Sequence, residues 1–174
     1  MSPQGTGDAA SFLSTYDGPA YVRLSGVAPC KPIYSELPIF KPNSFDDLTT
    51  GSDTLILSYG SILSECIDAH NILESQCIQA RIINVSCLDT ISTELLDIVL
   101  QYNHVFVVEE HRITGGLYTL LSQSLQHYCS NNLPQILSVS LPDVFLKSGS
   151  YPELLSHYKL DSTSIAEKVI SSLD

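Results

Sequence analysis

From residue 54 onward the sequence switches regularly between two kinds of segment, and that alternation limits the fold more than any other feature. "TLILS" (54–58), "RIINV" (81–85), "HVFVVEE" (104–110) and "QILSVSL" (135–141) are apolar, partly β-branched runs of strand length. "TLILS" is apolar almost throughout, as suits a strand covered on both faces. Longer segments with helical spacing lie between these runs. In "SILSECIDAHNILESQ" (61–76), Ile62, Cys66, Ala69 and Leu73 form one stripe, with Leu63 and Ile67 beside it. "TELLDIVLQY" (93–102) carries Ser92 as an N-cap and Glu94 in its first turn. "TGGLYTLLSQSLQHYC" (114–129) puts Leu117, Leu120, Leu121, Leu125 and Tyr128 on one face. "YPELLSHY" (151–158) and the capped "DSTSIAEKVISSL" (161–173) complete the set, the latter with Ile165, Val169 and Leu173 inward. Strand and helix alternating in this way predict an α/β fold: a mostly parallel sheet with helices on both faces. Ligands of such sheets bind beyond the carboxyl ends of the strands.

The first fifty residues have a different texture. Residues 1–7 read as a flexible start, 8–16 as a short helix, 17–19 as a turn and "AYVRL" (20–24) as a strand. Pro29, Pro32, Pro38 and Pro42 then exclude a regular helix, so 26–42 reads as an extended linker. "NSFDDL" adds a short edge strand and 49–53 a turn. The 174 residues suit one compact domain with room for an appendage, and 44% apolar content can fill its core. A net charge of −11 with eight Lys plus Arg argues against nucleic acid or anionic lipid as partner. Five cysteines lack any C-x-x-C or zinc spacing, and most are expected to be small buried hydrophobes. Neither a secretory signal nor a run of membrane-span length is present, so a cytoplasmic protein is the expectation.

The stretch that concentrates chemistry is "VVEEHRITGG" (107–116). Alternation along a strand would turn Glu109 and His111 to one side and Glu110 to the other. A carboxylate beside an imidazole suits acid–base work and equally well pins a strand end to its neighbours. Gly115 and Gly116 open the next helix, where free N–H groups can approach a phosphate or the side chain of Glu109 or Glu110. Arg23 could clamp an anion or form an ordinary ion pair. Ser61, in "SYGS", is a possible helix cap, and His70, His127 and His157 read as surface or boundary residues. No G-x-G-x-x-G, P-loop or G-x-S-x-G pattern occurs, and no third ligand is available for a metal.

Three segments together, "DGPAYVRLSG" (17–26), 51–90 with "TLILSYGS" and "INVSCLDT", and "VFVVEEHRITGGL" (105–117), resemble the C-terminal part of transketolases. Deoxyxylulose-phosphate synthases and 2-oxoacid dehydrogenase beta subunits are related. The resemblance covers about residues 8–174. It implies a three-layer α/β/α sandwich with a mostly parallel five-stranded sheet and one antiparallel edge strand, to which "NSFDDL" would belong. It further implies that residues 1–25 are the tail end of a pyrimidine-binding domain, 26–42 a linker and 43–174 the C-terminal domain. Enzymes of this family use thiamine diphosphate and magnesium, the metal being held by a G-D-G…N motif. No G-D-G occurs here, and the pyrimidine-activating glutamate is expected upstream of the "GPAYVRL" strand.

On that resemblance the chain is expected to bind no cofactor by itself, to be inactive in isolation, and to serve assembly with the remaining transketolase domains or a second subunit, as a homodimer. Glu109, Glu110, His111, Gly115, Gly116 and Arg23 are the interface or anion-binding candidates. None is expected to be catalytic. The sequence departs from the family twice. Gly26 stands where an arginine near a substrate phosphate is usual, which puts a sugar phosphate in doubt. "DTIS" (89–92) replaces "KPLD", with Ser92 still able to cap and Asp89 reversing a charge. Two other readings stay open: a stand-alone α/β module binding a small anion or nucleotide at the Gly115–Gly116 helix start, and a small enzyme using Glu109 and His111 directly.

Overall fold

The structure is a computed structural model and describes residues 3–24, 33–34, 40–129 and 131–173. Its order is α1 (Pro3–Leu13), β1 (Asp46–Asp47), β2 (Thr54–Ser58), a 3-10 turn (Gly60–Ile62), α2 (Leu63–Ser75), β3 (Ala80–Asn84), α3 (Thr93–Val99), β4 (His104–Arg112), α4 (Leu117–Tyr128), β5 (Gln135–Leu141), α5 (Tyr151–His157) and α6 (Ser162–Leu173). The five strands form one sheet in the order β1-β3-β2-β4-β5. β2 pairs in parallel with β3 and β4, and β4 with β5, whereas β1 runs antiparallel to β3. The mostly parallel sheet is the one the alternation of segments predicted, and the single antiparallel edge is the one the family resemblance implied.

Two apolar layers make the sandwich. On one face Ile56, Ile82, Phe106 and Val108 meet Cys66 and Leu73 of α2 and Ile165 and Val169 of α6. On the other, Leu55, Leu57, Val105 and Val107 meet Leu95 and Val99 of α3 and Leu117, Leu121 and Leu125 of α4. Successive strand residues point to opposite faces, so a strand buried on both sides must be apolar at nearly every position. Every residue of β2 is buried. Ser92 caps α3 as expected, accepting from the Leu95 N–H at 3.3 Å. Gly51 lets the turn before β2 press on β3: a Cβ there would lie 2.5 Å from the backbone carbon of Ala80.

Several expectations are corrected. Residues 20–24 pair with no described strand and run as irregular chain, because a strand needs a neighbour's open edge to satisfy its backbone. α1 starts earlier than residue 8, with Pro3 at its first position, where a missing N–H costs nothing. Tyr128 lies off the buried stripe and is 42% exposed, its hydroxyl bonded to Asp97 of α3 at 2.7 Å. His70, read as a surface or boundary residue, is 9% exposed, since it follows Cys66 and Ala69 on the inner side of α2. Of the described cysteines only Cys66 is buried, and burial pushes its thiol up to about 12; Cys77 is exposed, and Cys87 and Cys129 are half-buried. Cys30, Gly26 and most of the 26–42 linker lie outside the described residues. Among the described residues no helix is long and apolar enough to cross a membrane.

Among the described residues Phe106 is the largest fully buried side chain, and it lies in β4 beside the central strand β2. Phe106→Ala should lower the unfolding free energy by about 3–5 kcal/mol, read as a shifted urea midpoint.

Candidate functional site

β2 has β3 on one side and β4 on the other, so the chain leaves β2 in one direction and returns in the other. Such a reversal opens a crevice at the carboxyl ends of the two diverging strands. The residues that follow β2 are Tyr59, Gly60 and Ser61, and those at the end of β4 are Glu109, Glu110 and His111. The two groups are therefore brought together by topology, although fifty residues separate them in the chain.

Glu109 is fully buried and its carboxylate is the centre of the arrangement. Oε2 accepts from the Leu117 N–H at 2.9 Å and from the Tyr59 hydroxyl at 3.0 Å, and Oε1 accepts from the Tyr118 N–H at 3.1 Å. Leu117 and Tyr118 begin α4, where backbone donors have no partner within the helix. The N-cap position itself is Gly116, which has no side chain to offer. Glu109 supplies the cap from the preceding strand, and its negative charge suits the positive end of the helix dipole. Gly116 is required for this approach: a Cβ there would lie 2.7 Å from the Glu109 carboxyl carbon. Gly115 has φ +85°, a left-handed conformation that a side chain would strain. Its N–H donates to Thr119 Oγ1 at 3.0 Å, and that hydroxyl donates to the Ile113 carbonyl at 2.8 Å.

Glu110 takes a different partner. Its Oε2 accepts from the Ser61 hydroxyl at 2.5 Å. Ser61 is thus not the helix cap it resembles in the sequence; the 3-10 turn begins after Tyr59 without a side-chain cap. The expected facing, with Glu109 and His111 on one side, is corrected as well. The ladder between β4 and β5 shifts register between Glu109 and Arg112. Such an irregularity breaks the alternation of side chains. Glu110 and His111 both line a cavity of about 510 Å³, while Glu109 is turned inward. His111 Nδ1 lies 2.7 Å from the Arg112 carbonyl oxygen, which can only accept, so that nitrogen carries the proton.

Arg23, Tyr59, Ser61, Gly115 and Gly116 also line the cavity, with Val22, Leu24 and Leu88 among its apolar walls. Five of the six candidates named from the sequence therefore share one cavity, and the sixth, Glu109, fastens the helix beside it. Tyr59 carries no local sequence signal of its place here, because its partner Glu109 lies fifty residues away. Its hydroxyl is held above the ordinary value of 10.0 by burial first, then by the charge of Glu109 and the hydrogen bond to it; Glu110 acts the same way and Arg23 opposes. Among the described residues no group of three or more His, Cys, Asp or Glu is placed to hold a metal ion. The α4 N–H groups that a pyrophosphate would need are donated to Glu109. The described residues therefore do not fit a thiamine diphosphate–metal cradle.

The profile of the family "Transketolase, C-terminal domain" matches residues 46–165. A 1-deoxy-D-xylulose-5-phosphate synthase from Dictyoglomus turgidum is 34% identical over 125 residues, which is 71% of this chain and 20% of that protein. A putative transketolase C-terminal section from Methanocaldococcus jannaschii is 31% identical over 164 residues, 92% of this chain and 50% of that one. Among solved structures, a split gene transketolase described as an inactive beta4 tetramer superposes with a TM-score of 0.73 at 28% identity, covering 84% of this chain and 47% of that one. The chain thus spans about a fifth to a half of the length of the relatives it matches.

Gly116→Ala and Glu109→Ala should each destabilise the fold by about 1–3 kcal/mol, and the double variant by clearly less than their sum, because both break one contact. The raised Tyr59 hydroxyl means that folding favours its neutral form. Its contribution is complete below the unfolded value near 10 and is lost as pH rises from there through the higher folded value. Urea midpoints should fall more steeply with alkaline pH in the wild type than in Tyr59→Phe.

Proposed function

Because the chain belongs to the transketolase C-terminal domain family, we propose that it is the C-terminal module of a thiamine-diphosphate-dependent transketolase-type enzyme transferring two-carbon ketol or acyl units. In this reading residues 1–25 are the tail of the pyrimidine-binding domain, 26–42 the linker and 43–174 the C-terminal domain. The module serves assembly, as a homodimer and together with the remaining domains or a second subunit, in a cytoplasmic enzyme. The cofactor and magnesium belong to the complete enzyme.

The single observation that carries the assembly role is the use made of Glu109. The strand-to-helix turn, which in an open α/β sheet is the place for a ligand's anionic group, is filled by an internal carboxylate. What would be a reactive pair, Glu109 and His111, is separated: one is buried as a cap and the other lines the cavity wall. The small-enzyme reading loses its acid–base pair, and the anion-module reading loses the Leu117 and Tyr118 N–H donors. That a split gene transketolase structure of the same fold is described as an inactive tetramer of one chain type accords with a chain that assembles without catalysing.

Titration calorimetry tests the proposal. The 174-residue chain alone should give no binding heat with thiamine diphosphate and magnesium and no ketol transfer. Adding a chain that carries the G-D-G…N motif should restore both. Clear cofactor binding by the chain alone would overturn the assignment.

A further inference from the structure

We propose that β5 is the self-association edge of this domain, pairing antiparallel with β5 of a second copy about a two-fold axis close to Ser138. The inference rests on the assembly role above and names the surface that performs it.

The two borders of the sheet are built in opposite ways. β1 is two residues long, both of them aspartates. Asp47 is gripped by Arg81 at 2.7 and 2.9 Å, and Asp46 accepts from Tyr34 at 2.9 Å and Asn84 at 3.2 Å. A short, charged edge resists pairing with another chain. β5 has seven residues, "QILSVSL", with no charge and no proline, and Pro134 and Pro142 bound it. No described strand pairs with its outer side. The Gln135 N–H donates inward to the Asn103 carbonyl at 2.8 Å. By the alternation of a ladder, Ile136, Ser138 and Ser140 then direct N–H and C=O groups outward. The following residues, 142–150, are all exposed.

Charge selects the occupant. The chain carries −11, so most surfaces of two copies repel one another. From Ile113 to Pro142, which includes α4 and β5, the sequence contains no Asp, Glu, Lys or Arg. This is the border on which two identical chains can meet without like charges opposed. Exposed apolar side chains flank the strand at both ends: Tyr128 and Leu133 before it, and Val144 and Phe145 after it. Phe145 is fully exposed, and Arg112 neutralises Asp143 at 3.1 Å. Antiparallel pairing about Ser138 sets Ile136 opposite Ser140 of the second copy and forms about six backbone hydrogen bonds. The contact is isologous, so it closes at two copies and does not propagate.

Sedimentation over a concentration series tests this with the full chain and three variants. Ser138→Pro removes one outward donor and leaves the β4 ladder intact, because proline is tolerated where the N–H faces solvent. Ser140→Lys sets a cation at the edge and serves if the proline variant fails to fold. Arg81→Ala, on the opposite border, is the control. The wild type and Arg81→Ala should be dimeric. The edge variants, with unchanged circular dichroism, should raise the dimer dissociation constant at least tenfold. Folded edge variants that keep the wild-type mass would overturn the β5 assignment while leaving the assembly role in place. A wild type that stays monomeric throughout would overturn both, and would leave the edge to a different polypeptide.

Discussion

One buried carboxylate fixes the relation between the central strand pair and the helix that follows. Glu109 ends the buried part of β4, and its two oxygens take the first donors of α4 and the hydroxyl of Tyr59. A charge without water is costly unless it is fully hydrogen-bonded, and here three donors and a helix dipole converge on it. The glycine pair is a condition of that contact. Gly115 makes the reversal and Gly116 clears the space. The α4 stripe of Leu117, Leu121 and Leu125 can then lie against Val105 and Val107, because the start of the helix is held at a fixed height above the strand.

The same contact assigns different work to two adjacent glutamates. Glu109 is turned into the protein and acts as a structural anion. Glu110 reaches across the sheet to Ser61 and lines the cavity with His111 and Arg23. The end of β2 is thereby tied to the end of β4 twice, through Tyr59 and through Ser61. The crevice that the strand order opens keeps its walls, while the Leu117 and Tyr118 N–H groups at the start of α4 are taken by Glu109.

Much of this was legible in the residues. Apolar runs of strand length and 3.6-residue stripes located each strand and helix from 54 onward, because burial on both faces of a sheet leaves little freedom in composition. The glycine pair announced a tight strand-to-helix turn, and a neighbouring glutamate was already a possible occupant of its donors. What could not be read was decided by contacts distant in sequence. The facing of Glu109, Glu110 and His111 was misjudged because the register shift against β5 cancels the two-residue period. Tyr59 carried no local signal, since its partner lies fifty residues away. Ser61 resembled a cap because capping and bonding to a remote carboxylate call for the same hydroxyl. Residues 20–24 have the pattern of a strand, but they pair with no described strand.

The span of the Tyr59–Glu109 bond has a kinetic meaning. It closes a loop of fifty residues that contains α2, β3 and α3. Closing a long loop costs chain entropy before any contact rewards it, so such a bond forms after the units inside it have docked. An interaction absent from the folding transition state leaves the folding rate nearly untouched and governs how fast the native state opens. The carboxylate at the end of β4 is therefore expected to act as a clasp on the lifetime of the folded domain.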